Sequence, residues 1–400
     1  QSSVLSTQQI IDKTNKLGAH NYHPKDVVIV EGEGVIVRDP EGREYFDMLS
    51  AYSALNFGHR HPEIVAAAKE QLDKVTLTSR AFHNAVLCDF YEKLCGLTGK
   101  EMILPMNTGA EAVETALKTA RRWGAEVKGV ENGKQEIIVC ENNFHGRTIA
   151  IVSFSTDPDA RINYGPYCEG FKIIKYGDAK ALEEAITPNT VAFMAEPIQG
   201  EAGIITPPKG YLKEVRDICT KHNILFIADE VQTGFARTGR MFACNFEDVE
   251  PDIYILGKAL GGGVMPISAV AANKDVLGVF TPGTHGSTFG GNPLACAVSI
   301  KAMEILVRDD YSKQAEEKGD YFMRRLREID NPEIIDVRGS GLLIGVEFSV
   351  PAAPYVKKLI ANGVLAKETH ERTIRFAPPI VITYEQIDRA IEGIKKAFAK

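Results

Sequence analysis

Seven short apolar runs rich in β-branched side chains punctuate the middle of the chain: Met102–Met106, Ile137–Cys140, Ile149–Phe154, Val191–Ala195, Ile224–Ala228, Ile253–Leu256 and Ile267–Ala271. They are continuous rather than alternating, the pattern of strands buried on both faces. Between several of them the apolar positions change to helical spacing, over Ala112–Trp123 and Tyr211–Lys221. Strand and helix in alternation predict an α/β fold with a mostly parallel sheet between helices. Upstream, Val27–Val30 and Val35–Val37 predict two strands around the turn Glu31-Gly32-Glu33-Gly34, and Asp39-Pro40-Glu41-Gly42 a further turn. Beyond Ile300 the chain becomes more helical and charged through Glu328. Ile334–Val337 and Leu342–Phe348 then predict strands and Tyr384–Ala399 a closing helix, together a smaller α+β domain.

The 400 residues amount to two or three domains at a typical size of ~150 each. Hydrophobic residues at 44% and charged residues at 25% are those of an ordinary globular chain. Lys and Arg number 46 against 53 Asp and Glu, and the net charge of -7 repels a phosphate backbone over the surface as a whole, so nucleic acid is not expected as a partner. No apolar run reaches the ~20 residues that span a bilayer. The charge-free stretch Val276–Ile300 is broken by Pro282, Gly283, His285, Gly290, Gly291, Asn292 and Pro293 and reads as a loop, so no membrane association is expected. The amino end, Gln1-Ser2-Ser3-Val4, resembles neither a signal peptide nor an Arg-rich presequence, and the expected location is the cytoplasm. Seven scattered cysteines without a C-x-x-C pair predict reduced, mostly buried thiols. His20, His23, His59 and His61 have no cysteine at zinc-site spacing and read as polar or capping residues, so no metal site is expected.

In an open parallel sheet ligands bind where strands end, and five strand ends or loops carry unusual residues. Pro105-Met106-Asn107-Thr108-Gly109-Ala110-Glu111-Ala112 takes a buried strand through a turn into a helix, whose first N–H groups suit a phosphate. The same residues also make an ordinary helix cap. In Asn143-Phe144-His145-Gly146-Arg147-Thr148 an aromatic ring could stack on a flat ligand and Arg147 grip a carboxylate, or the segment could be a surface turn. Asp229 closes the apolar run Ile224–Ala228, and a carboxylate buried there demands a cationic partner. Lys258 follows Ile253–Leu256 and precedes a Gly261-Gly262-Gly263 triplet. A desolvated lysine has a lowered pKa and forms Schiff bases. Finally, His285-Gly286-Ser287-Thr288-Phe289-Gly290-Gly291-Asn292-Pro293 offers small hydroxyls for a phosphate, or simply a helix entry.

A lysine, a strand-end carboxylate, a phosphate cup and a stacking aromatic are what pyridoxal 5'-phosphate requires. Several stretches carry a resemblance over nearly the whole chain: Gly18–Pro24, Leu49–Ala54, Met106–Gly109, Phe144–Thr148, Glu196–Glu201, Ala228–Gly234, Leu256–Leu260 and Ile374–Pro379. With these the sequence resembles the class III (omega-amino) group of fold-type I aminotransferases. The segments around Tyr22 and Tyr52 resemble its ornithine-using branch rather than the acetylornithine or 4-aminobutyrate branches. The resemblance implies an amino-terminal segment (1–51), a large pyridoxal-phosphate-binding domain (52–297) and a small carboxyl-terminal domain (298–400). It implies that Lys258 carries the cofactor and then serves as general acid/base, and that Asp229 keeps the pyridine nitrogen protonated. Phe144 would stack on the ring, Gln232 bond its hydroxyl, Gly109 and Ala110 hold the phosphate through their amides, and Glu196 support the cofactor region. Ser287 and Thr288 would reach the phosphate in a neighbouring subunit, which implies a homodimer with shared sites.

The implied reaction moves the δ-amine of ornithine to 2-oxoglutarate, yielding glutamate and its semialdehyde, with proline biosynthesis or arginine catabolism as setting. Tyr22 and Arg147 would hold the α-amino and α-carboxylate ends of ornithine, with Tyr52 lining the same site. Arg375 would bind the α-carboxylate of glutamate, and Glu201 would neutralise Arg375 when ornithine is present. Read without the family, Glu201 is a surface carboxylate and Arg375 a structural ion-pair partner. Two alternatives stand beside this one. The first is another omega-aminotransferase acting on acetylornithine or 4-aminobutyrate. The second is a cofactor-free α/β protein binding dicarboxylates through Arg147 and Arg375.

Overall fold

The computed structural model describes residues 4–400; of the amino end read above for a leader, Gln1–Ser3 lie outside the described residues. Its strands, in chain order, are β1 (Glu31–Glu33), β2 (Ile36–Arg38), β3 (Glu44–Asp47), β4 (Met102–Met106), β5 (Glu136–Cys140), β6 (Phe171–Ile174), β7 (Thr190–Ala195), β8 (Leu225–Asp229), β9 (Ile253–Leu256), β10 (Ser268–Ala272), β11 (Ile334–Ser340), β12 (Leu343–Phe348), β13 (Val364–Leu365), β14 (Lys367–Thr369) and β15 (Thr373–Phe376). The apolar runs become a seven-stranded sheet in the order β4-β10-β9-β8-β7-β5-β6. β7, β8, β9 and β10 are buried at every position, which is why their sequences do not alternate. Within each strand the side chains still divide. Leu225 and Ile227 join the core under the helix Gly109–Trp123, while Phe226 and Ala228 join that under the helix Tyr211–Lys221.

β10 is the exception to parallel order, pairing antiparallel with both β9 and β4. The link from β9 to β10 is too short for a crossover helix, so the chain turns back on itself. Lys258 sits in that link, at the start of the 3-10 turn Lys258–Gly261.

Two expectations about local structure are corrected and one strand is added. Ile149–Phe154 is not a strand: Ile149–Val152 is a single helical turn, begun by the Thr148 hydroxyl accepting from the Ile151 amide. Ile151 and Phe154 are nonetheless buried in the core beside the helix Gly109–Trp123, so the apolar run reported burial and not conformation. The place next to β5 is taken by β6, which sequence reading passed over because Lys172 interrupts its apolar residues, as suits an edge strand. The amino-terminal hairpin is shifted as well. Glu31↔Arg38 and Glu33↔Ile36 pair around a two-residue turn at Gly34 (φ +60°) and Val35, and Val27–Val30 lies outside any strand.

Two four-stranded sheets flank the large one. β11-β12-β15-β14 is antiparallel, and packs with the helices Tyr311–Arg327 and Tyr384–Phe398 around Phe322, Phe348, Phe376 and Phe398. In β1-β2-β3-β13 the last strand comes from the carboxyl-terminal part of the chain and runs parallel to β3. No helix among the described residues is long and apolar enough to cross a membrane.

Two glycines in helices should respond oppositely to alanine. A Cβ at Gly319 would lie 2.0 Å from the Gly341 carbonyl oxygen, so Gly319→Ala should destabilise by about 1–3 kcal/mol or more. Gly96 has open space around it, and Gly96→Ala should stabilise by about 0.5–1 kcal/mol. Urea or thermal denaturation of the two variants checks both signs.

Candidate active site

The carboxyl ends of β4, β5, β7, β8 and β9 open toward a cavity of about 170 Å3 lined by Gly109, Ala110, Phe144, Glu196, Asp229 and Lys258 among others. On one side Thr108 caps the helix Gly109–Trp123: its hydroxyl accepts from the Glu111 amide, and the Glu111 carboxylate accepts from the amide of Thr108 at 3.0 Å. Gly109 and Ala110, in the first helical turn where N–H groups have no partner within the helix, line the cavity.

Asp229 is buried at the end of β8, with Oδ1 accepting from the Val231 amide at 3.0 Å and Oδ2 lying 2.6 Å from Nδ1 of His145. His145 is itself buried, and its Nε2 has no partner among the described residues. It escaped notice as a functional residue although it lies between Phe144 and Gly146, because nothing in the sequence says that it faces Asp229. Glu196 is differently placed. Burial, and the nearby negative charge of Asp229, push its carboxyl well above the usual carboxylate range, and its Oε1 accepts from the Phe144 amide at 2.9 Å.

Lys258 adopts a left-handed backbone (φ +44°), which costs a non-glycine residue about 1 kcal/mol or more. Its Nζ donates to the Tyr52 carbonyl at 2.9 Å. Enclosure by protein, reinforced by the positive charge of Arg375, draws its pKa down to about 8 against the pull of Glu201, Asp229 and Glu196. Tyr52 belongs to the turn Ser50–Ser53, in which all four φ angles are positive (52°, 50°, 61° and 74°) without a glycine. Left-handed geometry costs about 1–2 kcal/mol per residue, so this turn is held by its surroundings. The Tyr52 ring gathers three cations: Lys367 Nζ, Arg375 Cζ and Lys258 Nζ lie 5.3, 5.6 and 5.7 Å from its centroid. Lys367 also donates to the Tyr52 hydroxyl at 2.8 Å, a contact between residues 315 apart that no local pattern announces.

Arg375 is 1% exposed. Nη1 donates to Glu201 Oε1 at 2.9 Å, and Nη2 to Ser53 Oγ at 3.1 Å and Gln232 Oε1 at 3.2 Å, while Nε has no partner among the described residues. Burial lowers its pKa. Gln232 lines the cavity but its amide is spent on this pair, donating to Glu201 Oε1 at 3.4 Å as well as accepting from Arg375. Gly200 makes room for it, since a Cβ there would come within 2.4 Å of Gln232 Oε1.

Phe144, His145 and Gly146 also line a second cavity of about 520 Å3, which carries Arg147 on one wall and Glu201 and Thr369 on the other. The Arg147 guanidinium stands 5.8 Å from the Phe144 ring centroid. Two expected groups are not brought together with these. Tyr22 is 61% exposed and lines a separate groove formed by residues 10–28. Ser287 accepts from Asn107 Nδ2 of its own chain at 3.0 Å, beside the helix start, whereas Thr288 is exposed. His61 caps the helix Pro62–Leu72, and no group of three metal-type side chains occurs among the described residues. All seven cysteines are free, with Cys140, Cys219, Cys244 and Cys296 buried.

These residues fit pyridoxal phosphate. An amine of lowered pKa, a buried carboxylate backed by a histidine, two unspent helix N–H groups and an aromatic wall meet in one cavity.

The chain matches the family model for class-III aminotransferases over residues 17–398. It is 62% identical to an ornithine aminotransferase of Geobacillus sp. (strain WCH70), covering 99% of this chain and 100% of that protein. Among solved structures it resembles an ornithine aminotransferase from Toxoplasma gondii that has pyridoxal phosphate partly occupying its active site (TM-score 0.97, 44% identity, 99% and 95% of the two chains covered). It also resembles an acetylornithine aminotransferase from Elizabethkingia anophelis (TM-score 0.90, 47% identity, 99% of each chain covered).

In cofactor-free protein, labelling of Lys258 by an amine-reactive reagent should rise with pH to half-maximum near about 8, below the ordinary lysine value, because only the neutral amine reacts. Peptide mapping across a pH series measures it, and a midpoint near that of surface lysines contradicts it. Glu196→Gln should change stability by less than about 1 kcal/mol, since an amide oxygen still accepts from the Phe144 N–H.

Proposed function

Because the chain belongs to the class-III aminotransferase family, we propose that it transfers the δ-amino group of L-ornithine to 2-oxoglutarate, giving L-glutamate 5-semialdehyde and L-glutamate, with pyridoxal 5'-phosphate as cofactor. The observation that carries the substrate reading is the pairing of buried Arg375 with the partly exposed Glu201 near Lys258. One site has to accept a terminal amine in one half-reaction and an α-amine in the other. Glu201 masks Arg375, so a substrate carrying a single carboxylate is offered only Arg147, which leaves its far amine beside Lys258. Glutamate brings a second carboxylate that displaces Glu201. A buried arginine deprived of its partner would cost about 3–5 kcal/mol, and the incoming carboxylate restores the pairing. Ser53 and Gln232 already accept from the same guanidinium and complete its surroundings.

Bound pyridoxal phosphate supplies the electron sink for the carbon that bears the amine. In this reading the Lys258 amine takes a proton from that carbon and returns one across a short distance, and a pKa of about 8 keeps part of it neutral near physiological pH. Asp229, oriented by His145, stabilises positive charge at the pyridine nitrogen. Phe144 covers one ring face, Gly109 and Ala110 offer amides to the phosphate, and Glu196 holds the Phe144 backbone in place. Gln232 has a second Nε2–H, not engaged by Glu201, with which to bond the ring hydroxyl. Tyr22 is assigned with Arg147 to the α-end of ornithine, with Tyr52 lining the opposite wall.

We also read the protein as a cytoplasmic homodimer serving proline biosynthesis or arginine catabolism, with Ser287 and Thr288 completing the neighbour's phosphate site. The helix Thr7–Leu17, which buries none of its side chains in the single chain, supports a subunit contact. The division into 1–51, 52–297 and 298–400 belongs to the same reading. Similarity to the acetylornithine enzyme from Elizabethkingia anophelis favours a second reading, in which the α-amine of the donor is acetylated. Parallel assays with ornithine, N-acetylornithine and 4-aminobutyrate separate them.

Purified protein should be yellow, and Lys258→Ala should lose the absorption band that borohydride abolishes in the wild type. A colourless protein that cannot be reconstituted would leave only dicarboxylate binding. Glu201→Ala should raise α- relative to δ-transamination by roughly tenfold or more, equivalent to about 1.4 kcal/mol. Half-reaction rates with glutamate and with ornithine measure that ratio, and an unchanged value would remove the charge switch.

A further inference from the structure

Asp47 and His59 have no part in the roles assigned above, and neither lines the two cavities. Asp47 ends β3 in a buried position with its carboxylate fully occupied. Oδ1 accepts from the backbone amides of Leu49 at 3.0 Å and Ser50 at 2.8 Å, and Oδ2 lies 2.7 Å from His59 Nε2. His59 is fixed in turn. Its backbone exchanges hydrogen bonds with Gly34 at 2.9 and 3.0 Å, and a Cβ on Gly32 would come within 2.9 Å of its ring.

The left-handed turn Ser50–Ser53 begins at the amides that Asp47 holds. Ser, Ala, Tyr and Ser have no preference for that conformation, so the constraint comes from outside the turn. At its far end the amides of Ala54 and Leu55 return to the Ser50 carbonyl at 2.8 and 3.1 Å. Within it, the Tyr52 carbonyl meets Lys258, the Tyr52 hydroxyl meets Lys367, and Ser53 Oγ meets Arg375. One strained turn therefore presents three groups to three cations.

We propose that Asp47 and His59 form a carboxylate–imidazole clamp of positioning residues that holds this turn and so sets the substrate side of the active site. Neither residue touches substrate; they act through Tyr52 and Ser53. The clamp's effect on transamination rests on the roles proposed for Lys258 and Arg375. Without Asp47, two amides lose their acceptor and the turn relaxes toward ordinary geometry, moving Ser53 away from Arg375.

The test uses the cofactor-loaded enzyme and the variants Asp47→Ala, Asp47→Asn, His59→Ala and His59→Gln. For each, kcat and KM are measured for both substrates, and the affinity for glutarate, an unreactive dicarboxylate, by calorimetry. Asp47→Ala should raise KM for 2-oxoglutarate and weaken glutarate binding by roughly tenfold or more, because small displacements of a positioning group have large effects. His59→Ala should act in the same direction by roughly threefold. Asp47→Asn, which keeps an acceptor for the two amides, and His59→Gln, which keeps a donor to Asp47, should recover most of the loss. The clamp is overturned if the folded alanine variants keep wild-type KM and glutarate affinity, even where thermal stability or active fraction falls, since a purely structural role predicts that result. Should Asp47→Ala not fold, the His59 pair decides by the same criterion. Failure of the substrate reading shows separately, as absence of ornithine-dependent turnover in the wild type, and the glutarate comparison still judges the clamp.

Discussion

A lysine amine withdrawn from water is the constraint around which this protein is arranged. Enclosure favours its neutral form, and each charge nearby adjusts the balance: Arg375 lowers the Lys258 pKa further, while Glu201, Asp229 and Glu196 oppose that. The three carboxyl groups are not equivalent. Asp229 has a histidine and a backbone amide on its oxygens, Glu201 has Arg375, and Glu196, buried in the field of Asp229, has its pKa pushed well above the usual carboxylate range. A further cation sits deeper still. Arg237 is fully buried without a carboxylate on its guanidinium, and donates to Asn56 Oδ1 and to the carbonyls of Leu342 and Pro378. Burial and the charge of Arg375 bring its pKa down to about 9. The two guanidiniums oppose each other, which makes an incoming carboxylate at Arg375 more welcome than the single ion pair with Glu201 suggests.

The fold meets this demand by bringing the groups in on separate segments. Strand ends of the large sheet supply the side that faces the cofactor, where backbone amides, Asp229 and Lys258 are fixed by strands buried on both faces. The substrate side comes from elsewhere: Tyr52 and Ser53 from the turn after β3, Glu201 from the loop after β7, and Lys367 and Arg375 from opposed positions on β14 and β15. Of these groups only Glu201 follows a strand of the large sheet.

What was legible in the sequence follows the same division. Lys258 and Asp229 stood out because a charge at the end of an apolar run is expensive, and that expense is local information. Six strands of the seven-stranded sheet were legible, four of them because full burial leaves no polar face to confuse the pattern. Ile149–Phe154 misled because β-branched residues report burial as readily as strand, and the Thr148 cap outweighs propensity over one turn. The partnership of His145 with Asp229, the spending of Gln232 on Arg375, and the approach of Lys367 to Tyr52 depend on contacts between distant segments, and no local pattern encodes them. Most hidden was the turn Ser50–Ser53, where the absence of glycine gives no hint of left-handed backbone. The resemblance to class III aminotransferases named Tyr52 but not the geometry that presents it.

The strand β13, supplied by the carboxyl-terminal part of the chain, pairs with β3 immediately before that turn, and the Ala377 amide bonds the Met48 carbonyl at 2.6 Å. Both contacts join the first eighth of the chain to its last. Synthesis therefore leaves the early hairpin without its neighbour until β13 has been made, while the large sheet can already assemble from strands that precede it. The half of the site that recognises the cofactor forms from nearby strands, and the half that discriminates between substrates waits for loop closures spanning more than 300 residues. A chain that stops short of β15 keeps Lys258 and loses Arg375.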